Sequence, residues 1–168
     1  RSCDVLAALA RARPDVGLVV VTDLSEGFLR SRLPFANVSI RRGRFDVGMV
    51  QRDSLRVDLE ATLAEGDTFL ASVASLVHAE EAFLRDCGVA VVVADIPAIP
   101  LVAAANLGLP SIAVGNFGWD YIYEEHAEHD TRWAPLVSHF REGYARADVL
   151  LRLPFAEPMR PFRAHINL

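Results

Sequence analysis

The sequence predicts an α/β protein whose core is a Rossmann-like, doubly wound parallel sheet. Short β-rich runs alternate with helical patterns along the 168 residues, which is typical of parallel strands joined by crossover helices. The run at residues 89–94 contains no polar side chain, as is typical of strands covered on both faces. We therefore expect right-handed crossovers and functional loops at the carboxyl ends of the strands.

Residues 1–46 are predicted to alternate between helix and strand. The predicted elements are a helix at 2–12, a strand at 17–22, a helix at 25–30, a strand at 35–40 and a basic turn at 41–46. Ser25 has the type and position of an N-cap residue. A doubly wound sheet normally begins with its central strand, whereas a helix comes first here. We therefore expect that a first strand and its loop are missing from the numbered chain.

The rest of the chain is predicted to continue this alternation. The predicted elements are a helical region at 55–86, a strand at 89–94, a buried helix at 100–107, a strand at 111–115, an amphipathic helix at 133–147 and a short strand at 149–151. A break is expected near Gly66, and Gly88 and Gly108 are placed to end helices. Because residues 154–161 contain three prolines, we interpret residues 154–168 as a linker that follows a domain at 1–153.

Glu80 interrupts the apolar face of the long helical region. On a helical wheel it lies among Val73, Leu76 and Phe83. A carboxylate in that position needs hydrogen-bonding partners. We favour a structural carboxylate, bonded to backbone N–H groups or to an arginine, over a functional residue near a cleft. The prediction is that Glu80 is buried and partnered.

The composition argues against several classes of protein. The net charge is −5, with seventeen arginines and no lysine, and this acidic balance argues against a nucleic-acid partner. The apolar runs are far shorter than the roughly 20 residues of a membrane span. No signal-peptide pattern opens the chain, and its two cysteines cannot form a disulfide framework, so we expect a cytoplasmic protein.

Sequence motifs for nucleotide and ester chemistry are also missing. The chain contains no G-x-G-x-x-G, P-loop or G-x-S-x-G pattern. This argues against dinucleotide enzymes, P-loop NTPases and α/β-hydrolases. No cofactor is predicted.

Polar and aromatic residues follow two of the predicted strands at the point where each strand ends. They are Asp95 after the strand at 89–94, and Asn116, Trp119 and Asp120 after the strand at 111–115. The carboxyl ends of neighbouring parallel strands meet at one edge of a sheet. These residues should therefore line a single concavity, with Asp23 further out at the same edge.

Each of these residues has a functional and a structural interpretation. Asp95 could bind a sugar hydroxyl or act as a general base, or it could cap the helix that begins near Pro97. The ring of Trp119 could stack on a sugar while Asn116 and Asp120 bind its hydroxyls. The alternative is a core tryptophan, with Asp120 as the cap of the following helix.

A polar stretch after Gly48 is a second candidate for substrate binding. Gln51 could belong to an acceptor-binding lip of the site. The alternative is a turn that leads into a helix capped by Asp53 or Ser54, and the residue types alone favour this turn.

The pair His126 and His129 invites a metal or hydrolase interpretation, because residues three apart share a helical face. No third ligand is specified by spacing, however, and the surrounding run is strongly polar. A solvated helix end is favoured, and no metal is predicted.

Several stretches of the chain resemble a known family. They are residues 46–58, 92–97, 114–123, 151–154 and 159–163, of which Asn-Phe-Gly-Trp-Asp at 116–120 is the most specific. Together they are similar to the glycosyltransferase-like domain at the N-terminus of plant L-arabinokinases and to its separate bacterial relatives.

The resemblance implies a GT-B-type fold, in which two Rossmann-like domains face each other across a cleft. This chain would be the N-terminal half, which holds the acceptor, and a C-terminal domain would hold a nucleotide sugar. The resemblance strengthens the expectation that Gln51 binds substrate, and Arg1 is the one candidate remnant of the family's Gly- and His-rich loop. The implied function is the acceptor-binding half of a glycosyltransferase, with Asp95 as its base. The alternative is a non-catalytic module that senses a sugar or nucleotide and is attached to a sugar kinase or another partner.

Overall fold

The computed structural model describes residues 2–168 and divides them into two compact units. The first unit ends at Arg44, and the second comprises Phe45–Leu168. Both combine helices with parallel strands, so the predicted α/β class is confirmed and is consistent with a Rossmann-like fold. The named strands form a two-stranded and a four-stranded sheet, one in each unit, where the sequence predicted a single sheet.

The first unit alternates between helix and strand, as expected. Its elements are α1 (Ser2–Ala12), β1 (Leu18–Thr22), α2 (Glu26–Arg32) and β2 (Val38–Arg42). β1 and β2 are parallel, with Leu18 opposite Val38. The predicted cap of α2 is confirmed, because the Ser25 hydroxyl accepts the backbone N–H of Phe28 at 3.4 Å.

The basic turn expected at residues 41–46 is wrong at its start. Arg41 and Arg42 continue β2, where they lie opposite Val21 and Thr22 of β1. The ladder between the two strands is therefore longer than the apolar pattern of the sequence indicated.

The second unit contains the larger sheet. Its elements are α3 (Leu59–Asp86), β3 (Val92–Ala94), α4 (Ala98–Leu107), β4 (Ser111–Gly115), α5 (Trp119–Ala127), a 3-10 helix (Thr131–Trp133), α6 (Ala134–Tyr144), β5 (Val149–Arg152) and β6 (His165–Asn167). The strand order is β3-β4-β5-β6, and every pairing is parallel. The main core includes the fully buried side chains of Ile99, Leu101, Tyr123, Phe140 and Tyr144.

The helix α3 differs from its prediction in two ways. It begins at Leu59, where Asp58 is the N-cap and accepts the N–H of Ala61 at 3.0 Å, so the predicted cap at Asp53 or Ser54 is wrong. It also runs unbroken through Gly66. A Cβ at that residue would lie 2.7 Å from Leu136 of α6. Gly66 thus permits close helix packing.

No helix in the described part of the chain, α3 included, combines the length and apolar character that a membrane span requires.

Glu80 is buried in α3, as predicted. Its exposed fraction is 2%, and its carboxylate takes part in an interaction with other groups of the protein. A charged group in this position is stable only when such partners are present.

The strand β3 is not covered on both faces, which corrects the expectation for the apolar run at 89–94. Val92 and Ala94 are buried, but Val91 and Val93 are 47% and 61% exposed. β3 lies at the end of the four-stranded sheet, where one flank has no named strand beside it. An apolar run by itself does not distinguish an edge strand from a central one.

Residues 154–168, which the sequence suggested to be a linker, contribute to the second unit. Met159 and Phe162 are 2% and 7% exposed and belong to the main core. β6 pairs with β5, and Leu150 lies opposite His165. The prolines in this stretch therefore belong to a segment that is packed into the second unit and do not mark a linker.

Candidate functional site

The strands β3 and β4 carry two loops to the same edge of the larger sheet. They are adjacent and parallel, with Ala94 opposite Ala113, so the residues that follow both strands emerge on the same side. We call residues 95–97 and 116–119 the carboxyl-edge loops, of which the second includes Trp119, the first residue of α5. Asp95 is exposed and Asn116 is half-buried. The structure thus brings together the loops of two residues that the sequence selected.

Ile96 has a strained backbone conformation directly after Asp95. Its φ angle is 143°, a region that a β-branched residue rarely adopts and that costs about 1–3 kcal/mol. Its side chain is 5% exposed, and a Cβ added to Gly115 would lie 2.6 Å from its Cγ2 atom. Gly115 therefore leaves the space that Ile96 fills. Strain of this kind clusters at functional sites.

Tyr144 connects the two carboxyl-edge loops. Its hydroxyl donates a hydrogen bond to the Ile96 carbonyl at 3.0 Å and accepts one from the Trp119 backbone N–H at 3.1 Å. The residue is fully buried, and this burial raises the pKa of its hydroxyl well above the ordinary value of 10.0. The hydroxyl therefore remains a donor throughout the physiological pH range.

Trp119 is held by contacts on several sides. Its Nε1 donates to the Asp46 carboxylate at 3.1 Å, and its ring stacks on Tyr123 with centroids 5.8 Å apart. The ring of Phe117 meets it edge-on at 5.5 Å. A Cβ at Gly48 would lie 3.5 Å from the indole. These contacts fix the loop that contains Asp46 and leave only part of the ring exposed.

Asp120 is buried at the start of α5, with 5% of its surface exposed. Its Oδ2 lies 3.6 Å from Arg141 Nε, and its Oδ1 has no hydrogen-bond partner within residues 2–168. Burial and the nearby charge of Glu157 raise the pKa of this carboxyl, while Arg141 opposes the shift. Asp120 therefore faces the protein interior, and solvent reaches little of it.

Gln51 is exposed in the segment that leads into α3. An antiparallel bridge joins it to Val57, and Arg52 binds Asp58 at 2.7 Å across the same turn. Gln51 is thus placed by its backbone at the turn that precedes α3. Arg1 lies outside the described residues, and Asp23 follows β1 in the first unit.

The histidine pair lies beside a separate small cleft. A cavity of about 180 Å³ is lined by Leu59, Glu60, Leu63, His126, His129, Asp130 and Trp133. Arg132 binds Glu60 at 2.7 Å and Asp130 at 2.6 Å, so both acidic groups are paired. No group of three or more metal-ligating side chains occurs between residues 2 and 168.

A larger and more open cavity lies at the opposite edge of the sheet. It has a volume of about 460 Å³ and is lined by Ala105, Gly108, Leu109, Pro110 and Asp148. Asp148 accepts the backbone N–H of Ser111 at 2.8 Å, near the amino ends of β4 and β5. This carboxylate therefore joins two strands at the edge away from the carboxyl-edge loops.

Comparison with known proteins finds similarity to a plant protein. L-arabinokinase of Arabidopsis thaliana is 33% identical over 172 residues. The match covers 100% of this chain but only 16% of that protein. The similarity to plant L-arabinokinase that the sequence suggested is thus confirmed for this segment. No protein-family model and no solved structure matches the chain.

Sequence analysis did not select two residues that organise this region. Tyr144 matched the apolar face of an amphipathic helix, and nothing in that pattern indicates where its hydroxyl is directed. Asp46 belonged to a predicted basic turn, and its contact with Trp119 joins residues 73 positions apart. Only the tertiary structure connects these groups.

Proposed function

We propose that this chain is the acceptor-binding half of a glycosyltransferase-like protein that moves a sugar from a nucleotide-sugar donor. One observation carries the proposal: Asp95 and Asn116 follow adjacent parallel strands at one edge of the sheet. Ligands of open α/β sheets bind at such edges. The similarity to a protein named L-arabinokinase supports a sugar as the class of ligand.

In this proposal Asp95 is the general base. It accepts the proton of the acceptor hydroxyl while the hydroxyl oxygen attacks the anomeric carbon of the donor and the nucleotide leaves. Asn116 and the exposed part of Trp119 bind the acceptor. Asp120, at the start of α5, supports these two residues by pairing with Arg141 of α6.

The proposed arrangement is of the GT-B type and includes a second domain. The acceptor side comprises the domain expected at 1–153 together with residues 154–168, which are packed in the second unit. A separate C-terminal domain holds the nucleotide sugar. Gln51 and Arg1 are proposed as further acceptor contacts. The reaction as proposed uses no metal ion or cofactor.

The test is a transferase assay on the full-length protein that contains this chain. Uridine and guanosine diphosphate sugars are offered as donors, with L-arabinose and other monosaccharides as acceptors, and release of nucleoside diphosphate is measured. Asp95→Asn should lower kcat by about 100-fold or more, because it removes the base. Asp67→Asn, an exposed change on α3, is the control. Full activity of Asp95→Asn would contradict the assigned role.

A second candidate function is a non-catalytic module that senses a sugar or nucleotide. The similarity to a protein named as a kinase favours this candidate. It predicts that no donor sugar is turned over, and that a sugar bound at Asp95 changes the activity of an attached kinase or partner. Release of UDP or GDP reports sugar transfer. Release of ADP from added ATP, measured with and without the sugar, reports the activity of an attached kinase, so the two products separate the two functions.

A further inference from the structure

We propose that Tyr144 is a positioning residue, which holds the two carboxyl-edge loops in one arrangement and thereby sets the place of Asp95. The inference rests on the proposed function of these loops. Its basis is the pair of hydrogen bonds at one buried hydroxyl, which donates to the Ile96 carbonyl and accepts from the Trp119 backbone N–H. No side chain of either loop is needed for this connection, since both partners are backbone groups.

The loop after β3 needs such a tether. Ile96 is held at a φ of 143°, which a β-branched residue leaves unless the surroundings hold it there. The Tyr144 hydroxyl binds the carbonyl of this strained residue, one position after Asp95. Loss of that bond removes one restraint on the peptide that follows Ile96, beside the packing of the buried Ile96 side chain.

The loop after β4 is tethered at a group that a helix leaves unpaired. Trp119 is the first residue of α5, so its N–H has no acceptor within the helix. The Tyr144 hydroxyl is the acceptor of this N–H. The hydroxyl therefore fixes Asn116 and Trp119 relative to Asp95.

The hydroxyl has little freedom to move. The Tyr144 ring stacks on Phe162 with centroids 4.9 Å apart, and Phe140 packs beside it at 5.8 Å. A Cβ at Gly118 would lie 2.9 Å from the ring, so the start of α5 closes over it. A rigid donor is suited to positioning, because a small misplacement of a catalytic group costs much rate.

A first test uses the wild-type protein and measures amide hydrogen exchange by NMR. The first N–H of a helix ordinarily exchanges quickly, as expected for Leu59 at the start of α3. The Trp119 amide should exchange about tenfold more slowly than the Leu59 amide, after correction for intrinsic rates, because Tyr144 accepts its hydrogen bond. Equal rates would overturn the inference and require no mutant.

A second test compares two buried tyrosines. Tyr144→Phe should raise the exchange rate of the Trp119 amide about tenfold and change the chemical shifts of Asp95 and Ile96. Tyr123→Phe is the matched control, because it removes a hydroxyl that donates to the Gly48 carbonyl and keeps the ring that stacks on the Trp119 indole. The same response in both variants would overturn the inference.

A third test separates positioning from general stability in the full-length protein. Tyr144→Phe should lower kcat by about 100-fold while the KM for the acceptor changes less than about threefold. Tyr123→Phe should retain kcat. If Asp95→Asn is inactive but Tyr144→Phe retains full kcat, the positioning role is wrong. If Asp95→Asn is fully active, the proposed base is wrong, and the exchange of Trp119 still decides whether Tyr144 tethers the loops.

Discussion

Asp120 is a carboxyl group that the fold buries beside a single arginine. Its pKa is raised above the ordinary 3.8, mainly because burial disfavours the charged form. The folded state therefore binds the proton more tightly than the unfolded state does. The protonated Asp120 carboxyl therefore favours the folded state. This contribution to the stability of the wild-type protein is fully present below about pH 3.8 and is lost as the pH rises through the folded-state pKa.

We predict that Asp120→Asn is more stable than the wild type at neutral pH and that the difference disappears on acidification. Asparagine is nearly isosteric and carries no charge at any pH. The measurement is the free energy of unfolding from urea titrations between pH 3 and pH 8. If the stability difference between the two proteins grew toward low pH, it would contradict the conclusion that burial disfavours the charged form of Asp120.

Asp53 is the control for this experiment, because its pKa is shifted in the opposite direction. The backbone N–H of Leu55 and the side chain of Arg56 lower the pKa of its carboxyl. Its contribution to stability is present above the ordinary pKa of 3.8 and is lost as the pH falls through the lowered value. Asp53→Asn should therefore lose stability relative to the wild type as the pH rises.

Glu80 tests whether a buried carboxylate is part of the structure. Glu80→Ala should lower the free energy of unfolding by about 1–3 kcal/mol, because it leaves buried partners unpaired. Glu65→Ala on the same helix is the control, and its exposed position predicts a change within about 0.5 kcal/mol. Chemical denaturation of the three proteins gives both values. Equal losses of unfolding free energy in Glu80→Ala and Glu65→Ala would contradict a structural role for the buried Glu80 carboxylate.

The helices α4 and α6 are in contact through two small residues. A Cβ at Gly143 would lie 2.5 Å from the Ala98 Cβ and 3.4 Å from its Cα. The obstructing atoms belong to the backbone or are attached directly to it, so no rotamer change relieves the clash. The close approach of α6 also brings Tyr144 beneath the carboxyl-edge loops, so this packing and the proposed site depend on each other.

We predict that Gly143→Ala lowers the free energy of unfolding by about 1–3 kcal/mol, because the two helices must separate. Gly27→Ala in α2 is the matched control. No atom lies within 4 Å of a Cβ at Gly27, so alanine should stabilise that helix by about 0.5–1 kcal/mol. Thermal unfolding measures both changes. Stabilisation by Gly143→Ala would show that the helices are not in close contact.

Elements with a local signal were predictable from the sequence. Gly108 ends α4 with a φ of 67°, and Ser25 caps α2, because both roles depend on the residue and its near neighbours. Elements whose limits depend on distant partners were not. Gly66 packs closely against Leu136 within an unbroken α3, and β6 pairs with β5 in a stretch whose prolines suggested a linker.

For the candidate site, too, the sequence predicted the features that depend on local pattern and missed those that depend on tertiary contacts. The alternation of strands and helices predicted that Asp95 and Asn116 end neighbouring parallel strands, and they do. The burial of Asp120 and the bonds of Tyr144 depend on tertiary contacts, which the spacing of residues does not encode. Sequence reasoning therefore located the edge and left open which of its side chains face solvent.

At the scale of the whole molecule, the chain spans 16% of the length of the similar plant protein. We predict that the purified 168-residue chain does not turn over any nucleotide sugar, since the proposed donor-binding domain is not part of these residues. The full-length protein under identical conditions is the control. Release of nucleoside diphosphate by the isolated chain would contradict the division into acceptor and donor domains.

The central claim is that the carboxyl-edge loops form one sugar-binding site. The most direct measurement is a titration of the ¹⁵N-labelled protein with L-arabinose and other monosaccharides, followed by two-dimensional NMR. We predict that the amides of Asp95, Ile96 and residues 116–119 shift together, with one common dissociation constant, and that Asp95→Asn weakens binding; Pro97 has no amide proton. Shifts confined to the cleft at His126 and His129 or to the cavity beside Asp148, or no shifts with any sugar, would contradict the claim.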